Sequence, residues 1–241
     1  MQRFYVPTTE LAIHHTVDLT PLARQLGRVL RLAPGAQIVL FNGDGFDYVI
    51  EITEIARNFS EGVVVARQAR RGETALALTL YQSSLKNDKF EWVLQKGTEL
   101  GVARFVPVIS ARSIVRPAAA LLKKYERWHV ILREAAEQSG RSRVPTLDEP
   151  LAIDDALVLA PGLRLLPYEA GAGDADTPGL LHAKDGAGEV SLLIGPEGGF
   201  ETGEIAIARA NDWQIVSLGP RILRAETAAI AATALITLYG A

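Results

Sequence analysis

The chain contains no cysteine, which excludes disulfides, thiolate nucleophiles and cysteine metal sites and makes a reducing, cytoplasmic setting the expected one. Histidine is scarce as well. The four present, His14, His15, His129 and His182, show no metal-ligand spacing, so neither a zinc site nor any other resident metal is expected. Long apolar runs are also missing. The longest, "AAIAATALITL" near the C-terminus, is too short to span a bilayer, and "MQRFYVPTTE" at the start is followed by no apolar core of a secretory signal. The expectation is a soluble protein with no membrane partner.

What is there is ordinary globular composition, 48% hydrophobic and 22% charged over 241 residues, enough for one large or two modest domains. The net charge of −3 conceals an asymmetry. Residues 104–143 carry nine Lys/Arg against three Asp/Glu, whereas residues 144–206 carry two against twelve. A local basic surface is what phosphate binding needs, whatever the sign of the total.

The first seventy or so residues read as a small β-rich unit. "QIVLF" and "FDYVIEI" flank "NGDG", a strong hairpin signal, and "GVVVAR" supplies a further strand. Before them, "TPLARQLGRVLRL" has helical spacing, with Leu22, Leu26, Val29 and Leu30 on one face and Arg24, Arg28 and Arg31 on the other. Such a stripe is either a solvated helix face or a track for a nucleic-acid backbone. After "RQARRGE" strands alternate with helices. "ALALTLY", "ARFVPVIS", "ALVLA", "LRLLPYE", "VSLLIG" and "WQIVSL" read as strands. "NDKFEWVLQKGTELGV", a long helix through Leu121 to Ala135, "TGEIAIARAND" and an alanine-rich stretch from about Ile222 to Tyr239 read as helices. This alternation predicts an α/β fold with a mostly parallel sheet covered on both faces.

Open α/β sheets bind ligands at the carboxyl ends of their strands. Two turns at such ends repeat one device: "LLIGPEGGF" and "VSLGPRIL" each place Gly-Pro after an apolar strand and before a helix. One Gly-Pro is ordinary punctuation. Two suggest a ligand read by rigid backbone, because glycine permits close approach and proline fixes the turn. A phosphate cradle would want free N–H groups and a basic residue, where "GPEGG" offers proline and glutamate, and neither nucleotide fingerprint is present. The expected ligand carries a base and a positive charge, with Glu197 nearby. The second turn leads into "RILRAETAAIAAT", which gathers Arg221, Arg224, Glu226 and Thr227 at the entrance of an apolar helix. Glu226 there suits the helix dipole, but two arginines do not, and point to an anionic partner.

"LLIGPEGGF" and "LGPRILRAETA", preceded by "EWVLQKGTELGV", "ISARSIVR" and "EAAEQSGRSRVP", resemble the SPOUT-class methyltransferases of the RsmE type, which methylate N3 of a uracil in small-subunit ribosomal RNA. The resemblance runs from "RFYV" and "LGRVLRLAPG" to the last helix. It implies a PUA-like β-barrel over residues 1–72 and a SPOUT α/β methyltransferase domain with a C-terminal trefoil knot over residues 73–241, a rare exception to un-knotted chains. It further implies S-adenosyl-L-methionine as methyl donor without a metal, small-subunit ribosomal RNA rather than DNA as partner, and a homodimer with the active site near the subunit interface.

Carried onto this chain, the donor pocket is formed by the turn from Leu166 to Glu169, by Ile194, Gly195, Pro196, Glu197 and Gly198, and by Leu218, Gly219, Pro220, Ile222 and Leu223. Glu226 and Glu197 are the candidate bases for the N3 proton, with Arg224 and Arg221 as stabilisers of charge on the uracil oxygens. RNA contacts are expected from Arg3, Arg24, Arg28, Arg31, Arg112, Arg116, Arg141 and Arg143. Arg141 and Arg143 follow a helix end where Gly140 is a natural C′ residue, so capping and RNA contact are both readings of "EQSGRSRVP". Two departures from the family pattern are Asn87 and Gly97, where glycine and alanine are common. Alternative readings are another SPOUT activity, such as ribose 2′-O methylation, or a non-catalytic RNA-binding assembly protein.

Overall fold

A computed structural model describes residues 1–7, 10–69, 73–169, 178–180 and 188–238. The chain divides into two compact units, Met1–Glu73 with Ala136–Val144, and Thr74–Ala135 with Pro145–Ala241.

The first unit holds β1 (Arg3–Tyr5), β2 (Thr16–Asp18), β3 (Gln37–Phe41), β4 (Phe46–Ile55) and β5 (Ser60–Ala69) in the order β1-β3-β4-β5-β2. Only β1 and β3 are parallel; the other pairs are antiparallel. The "NGDG" turn joins β3 to β4, with Gly43 and Gly45 at φ 96° and 92°, a region that costs glycine nothing. Asp44 completes it, accepting the Phe46 N–H at 2.9 Å and the Tyr48 hydroxyl at 2.6 Å. Leu26, Ile38, Leu40, Ile50 and Val64 form the core.

The segment before β3 departs from the regular helix its spacing predicts. It forms one 3-10 turn at Thr20–Leu22 and a wide π turn at Gln25–Val29, where the Leu30 N–H reaches back five residues to Gln25. More than 3.6 residues per turn shifts the phase, so Leu26 is buried but Val29 faces solvent. Arg24, Arg28 and Arg31 are all exposed, Arg31 in the left-handed region.

The second unit runs β6 (Ala77–Ser83), α1 (Lys89–Glu99), β7 (Arg104–Ile109), α2 (Ala118–Leu122), α3 (Tyr125–Ser139), β8 (Thr146–Leu147), β9 (Leu151–Ala152), α4 (Ile153–Leu159), β10 (Leu163–Pro167), β11 (Glu189–Ile194), α5 (Thr202–Ala210), β12 (Gln214–Val216) and α6 (Ala225–Leu238). The sheet order is β12-β10-β11-β6-β7, with β8 and β9 both pairing with β7, and every pair is parallel, as expected for apolar strands alternating with helices. β10, β11 and β12 therefore end at one sheet edge, with Pro167 opposite Val216 and Leu165 opposite Leu192.

Three sequence expectations are corrected. "ALVLA" is helical: Asp154 and Asp155 occupy the first turn of α4, and Ile153, Ala156 and Leu157 bury a face at i, i+3, i+4 while Val158 and Leu159 are exposed. The long helix is broken at Lys123–Lys124 into α2 and α3, which leaves Leu122 exposed while Trp128 stacks on Phe90 at 4.5 Å. The last helix begins at Ala225, so residues 217–224 form an irregular, bent segment that leads from the sheet into it.

Both family departures have local causes. Asn87 adopts φ 54°, a conformation that asparagine tolerates better than other side-chain-bearing residues. Gly97 faces the fully buried Phe105 ring, whose atoms would lie 2.8 Å from an added Cβ. Alanine gains about 1 kcal/mol of helix propensity over glycine, but overpacking a full core costs roughly 1–3 kcal/mol. Gly97→Ala is therefore expected to lower stability by about 1 kcal/mol in urea denaturation, despite favouring the helix.

Candidate functional site

The shared edge of β10, β11 and β12 opens into a cleft of about 330 Å³ lined by Tyr168, Glu169, Ile194, Gly195, Pro196 and Glu197 on one side and Ile222, Leu223 and Arg224 on the other. A smaller lobe of about 60 Å³ continues along Ser217, Leu218, Gly219 and Arg221, sharing Glu169, Ile222 and Leu223 with the first. The two Gly-Pro turns thus converge on one concavity. In the first, the Gly199 N–H donates to the Pro196 carbonyl at 3.0 Å, with Gly199 at φ 69°. The Gly198 carbonyl accepts from Arg112 at 3.0 Å, and Phe200 packs under Gly195. A capping box between Glu201 and Glu204 starts α5 behind this turn, and buried Glu204 also accepts the Ala111 N–H at 2.8 Å. In the second, the Gly219 N–H donates to the Ser217 hydroxyl at 3.1 Å, and at φ 102° no atom of the described residues lies within 4 Å of where its Cβ would be. Its backbone is open to a ligand.

Of the residues expected at the donor pocket, Leu166 is instead buried in the core with Tyr81, Val106 and Leu193. Its side chain belongs to the sheet interior because Leu166 and Leu165 point to opposite, equally covered faces, and Tyr168 lines the cleft in its place. Pro220 is exposed, and Gly198 faces Arg112.

Lys89 and Glu197 form part of the cleft wall, and Lys89 also pairs with Glu226, which faces a neighbouring groove. Lys89, at the start of α1, places its ammonium 3.3 Å from Glu197 and 3.5 Å from Glu226. Glu197 also accepts the Lys86 N–H at 3.2 Å. Burial opposes its charge, but its own backbone N–H, the Lys86 N–H and the Lys89 ammonium outweigh that and hold its carboxyl below the ordinary value. Glu197 is thereby a fixed anion, suited to face a cation and poorly suited to take up a proton. Glu226 is held by fewer groups: its Oε2, the atom facing Lys89, is buried and accepts no hydrogen bond. An oxygen in that state has hydrogen-bonding capacity left for an incoming N–H. Arg224 and Arg221 are exposed on the segment leading into α6; Arg224 lines the main cleft and Arg221 the small lobe. Sequence reasoning missed Lys89 and Phe200, whereas Tyr168 lies in the turn it assigned to the pocket. Lys89 reads there as one charge among several in "KNDKFE", and its partners lie over a hundred residues away.

A sequence profile described as an RNA methyltransferase domain matches residues 72–237, and one described as an RNA methyltransferase PUA domain matches residues 26–65. Ribosomal RNA small subunit methyltransferase E from Synechocystis is 32% identical across 96% of this chain and 76% of its own length. The Bacillus subtilis protein of that name is 29% identical across 98% and 96%. Among solved structures, ribosomal RNA small subunit methyltransferase E from Neisseria gonorrhoeae bound to S-adenosyl methionine is 36% identical, with a TM-score of 0.86 over all of this chain and 98% of that one. The chain belongs to the ribosomal RNA small subunit methyltransferase E family. Its first unit is accordingly PUA-like and its second an α/β RNA methyltransferase domain.

Within this family frame the eight arginines expected on an RNA surface separate into two groups. Arg24, Arg28, Arg31, Arg116 and Arg143 are exposed, and Arg112, also exposed, spends one N–H on the first Gly-Pro turn. Arg24 and Arg28 line a groove of about 580 Å³ together with Arg57, which sequence reasoning passed over. Arg3 and Arg141 are corrections. Arg3 is only 11% exposed in its side chain, paired with Asp47 at 2.9 Å for one of its two bonds, and donates to the Arg141 carbonyl at 3.0 Å. The Arg141 side chain is 5% exposed and bonds Glu73 at 2.8 Å, whose other oxygen accepts the N–H groups of Ser142 and Arg143. These arginines fix residues 136–144 to the first unit instead of facing solvent, which is why a segment distant in sequence belongs to that unit. No group of His, Cys, Asp and Glu among the described residues could hold a metal ion. No described helix is long and apolar enough to cross a membrane.

Removing one member of a buried ion pair typically costs about 3–5 kcal/mol, with the lower end fitting a partner such as Glu73 that keeps some solvent. Arg141→Ala is expected to cost about 3 kcal/mol in chemical denaturation, and Arg143→Ala less than about 0.5 kcal/mol.

Proposed function

We propose that this chain is an S-adenosylmethionine-dependent methyltransferase of 16S ribosomal RNA in the small ribosomal subunit, acting on N3 of a uridine. The observation that carries the reading is the convergence of two Gly-Pro turns on one cleft whose Lys89 pairs with both Glu197 and Glu226. The homologue from Neisseria gonorrhoeae, bound to S-adenosyl methionine, supports the choice of ligand. So does the chemistry of the cleft. Glu169 and Glu197 suit a cationic ligand, the one lysine in the wall among the described residues is engaged by carboxylates, and the open backbone at Gly219 suits recognition by main-chain groups.

Bound there, S-adenosylmethionine supplies an electrophilic methyl that passes to nitrogen by in-line displacement, leaving neutral S-adenosylhomocysteine. The residues of this chain position and deprotonate. Uracil N3 carries a proton and is normally paired, so the base must leave its helix before it can react. Glu226 Oε2 accepts the N3 proton, freeing the lone pair for the methyl carbon. Arg224, on the same segment, stabilises the negative charge that develops on the uracil oxygens. Glu197 stays ionised and orients the cationic half of the ligand, and Lys89 holds both carboxylates apart. Most of the rate enhancement is then positioning.

The PUA-like unit supplies RNA affinity through Arg24, Arg28, Arg31 and Arg57, and the second unit through Arg112 and Arg116. We also infer a homodimer, a cytoplasmic location, no DNA or membrane partner, no metal, and domain roles dividing near residue 72. A trefoil knot in the C-terminal part is supported by two features. β12 returns to lie outside β10 instead of beside β11, and residues 178–180 pair with Ser217 just past β12, before the chain enters α6. That arrangement is what a chain passing through its own loop requires.

Purified protein, tritiated donor and small subunits, followed by mapping of the modified nucleoside, test this reading. The expected product is N3-methyluridine in 16S RNA, with Glu226→Gln lowering kcat by about a hundredfold and leaving donor affinity unchanged. A ribose-methylated or other nucleoside would refute it.

A further inference from the structure

A second groove, of about 770 Å³, is lined by Lys89, Trp92, Arg224, Glu226 and Thr227. It shares Lys89 and Arg224 with the donor cleft, so the two concavities adjoin at these residues, and Glu226, paired with Lys89 through Oε2, faces the second. Its floor is α1, and there Trp92 is 45% exposed, whereas Trp128 and Trp213 are 1% and 3% exposed. Those two pack against other rings, while Trp92 makes no ring contact among the described residues. A large aromatic face left open next to a reactive carboxylate has a cost in hydration that an occupant would remove.

The charges of the groove narrow what that occupant is. Lys89, Arg127 and Arg224 are matched by Asp88, Glu91 and Glu226, and Arg127 is tied to Glu91 at 2.8 and 2.9 Å. Without an excess of positive charge the groove is no phosphate track, in contrast to the groove at Arg24, Arg28 and Arg57. A flat, neutral ring with polar edges fits instead. Gln95 and Thr227 offer neutral donors and acceptors along the walls.

We propose that this groove is the acceptor-base pocket, in which the flipped-out pyrimidine stacks on Trp92 with its imide edge turned toward Glu226 and Arg224. The inference rests on the reading that the chain methylates a uridine in RNA. It adds the site at which that base is held and a residue, Trp92, that holds it. Donor and acceptor then occupy adjoining concavities that share Lys89 and Arg224, and the N3 proton passes to Glu226 before the methyl bonds to the lone pair it leaves.

Two measurements on the full-length protein test it. In the first, a uridine-containing oligoribonucleotide is titrated in the presence of S-adenosylhomocysteine, so that binding proceeds without reaction. Tryptophan fluorescence is quenched in the native protein and unchanged in Trp92→Phe, and an abasic oligomer of equal length leaves the native signal unchanged. Equal quenching by the abasic oligomer, or quenching that persists in Trp92→Phe, overturns the proposal. In the second, Trp92→Ala raises KM for RNA roughly tenfold, the order of one lost base–aromatic stack. Trp92→Phe recovers most of that loss, and donor affinity by calorimetry is unaltered in both. An unaltered KM contradicts the proposal, as does a change of oligomeric state in light scattering, which would mean that a second copy of the chain covers Trp92. If Trp92→Ala does not fold, native quenching and Trp92→Phe still decide. A native enzyme that fails to make N3-methyluridine defeats the parent reading alone, because the fluorescence titration needs no turnover.

Discussion

The ammonium of Lys89 ties together three pieces of chain that are far apart in sequence: the start of α1, the first Gly-Pro turn through Glu197, and the first turn of α6 through Glu226. As a contribution to stability it is minor. The side chains keep roughly an eighth to a third of their exposure, and ion pairs of that kind contribute little in water. As a constraint it matters more. Lys89 is the counter-charge that both carboxylates share. With it in place, Glu197 is loaded with donors and fixed as an anion, while the Glu226 oxygen facing Lys89 accepts no hydrogen bond. The same pair of residue types acquires two different roles from one neighbour.

The parallel sheet makes this geometry available. β10, β11 and β12 lie side by side and end at the same edge, so three turns separated by up to fifty residues face one another. The turns then recognise a ligand mainly through backbone, held by the capping box of α5, by Arg112 on the Gly198 carbonyl and by the Ser217 hydroxyl. Rigid loops on a rigid edge reduce the entropy lost on binding and keep the donors where the ligand requires them. Arg112 has a structural duty in this arrangement that its charge alone does not reveal.

Much of this was legible in the sequence, and the losses have physical explanations. The "NGDG" hairpin, the buried face of α1 and the strands ending in Gly-Pro follow from local spacing and turn chemistry, and they stand in the structure as read. "ALVLA" was misread because five apolar residues have no distinguishing period; the two aspartates before them were the better signal, since they favour the positive end of a helix. The stripe of Arg24, Arg28 and Arg31 kept its exposure but lost its helix to a π turn that periodicity cannot anticipate. Arg3 and Arg141 look like surface arginines in "RFYV" and "SGRSRVP". Their burial depends on Asp47 and Glu73, which reach them only through tertiary folding. Lys89 was overlooked for the same reason.

The central claim is that Glu226 removes the N3 proton. The rate of single-turnover methyl transfer, measured from pH 6 to pH 10 at saturating donor and RNA, tests it most directly. Native protein should show a shallow profile, whereas the rate of Glu226→Gln should climb about tenfold per pH unit as solvent deprotonates N3 in place of the missing base. Parallel profiles for the two proteins would contradict the account and place the proton acceptor elsewhere.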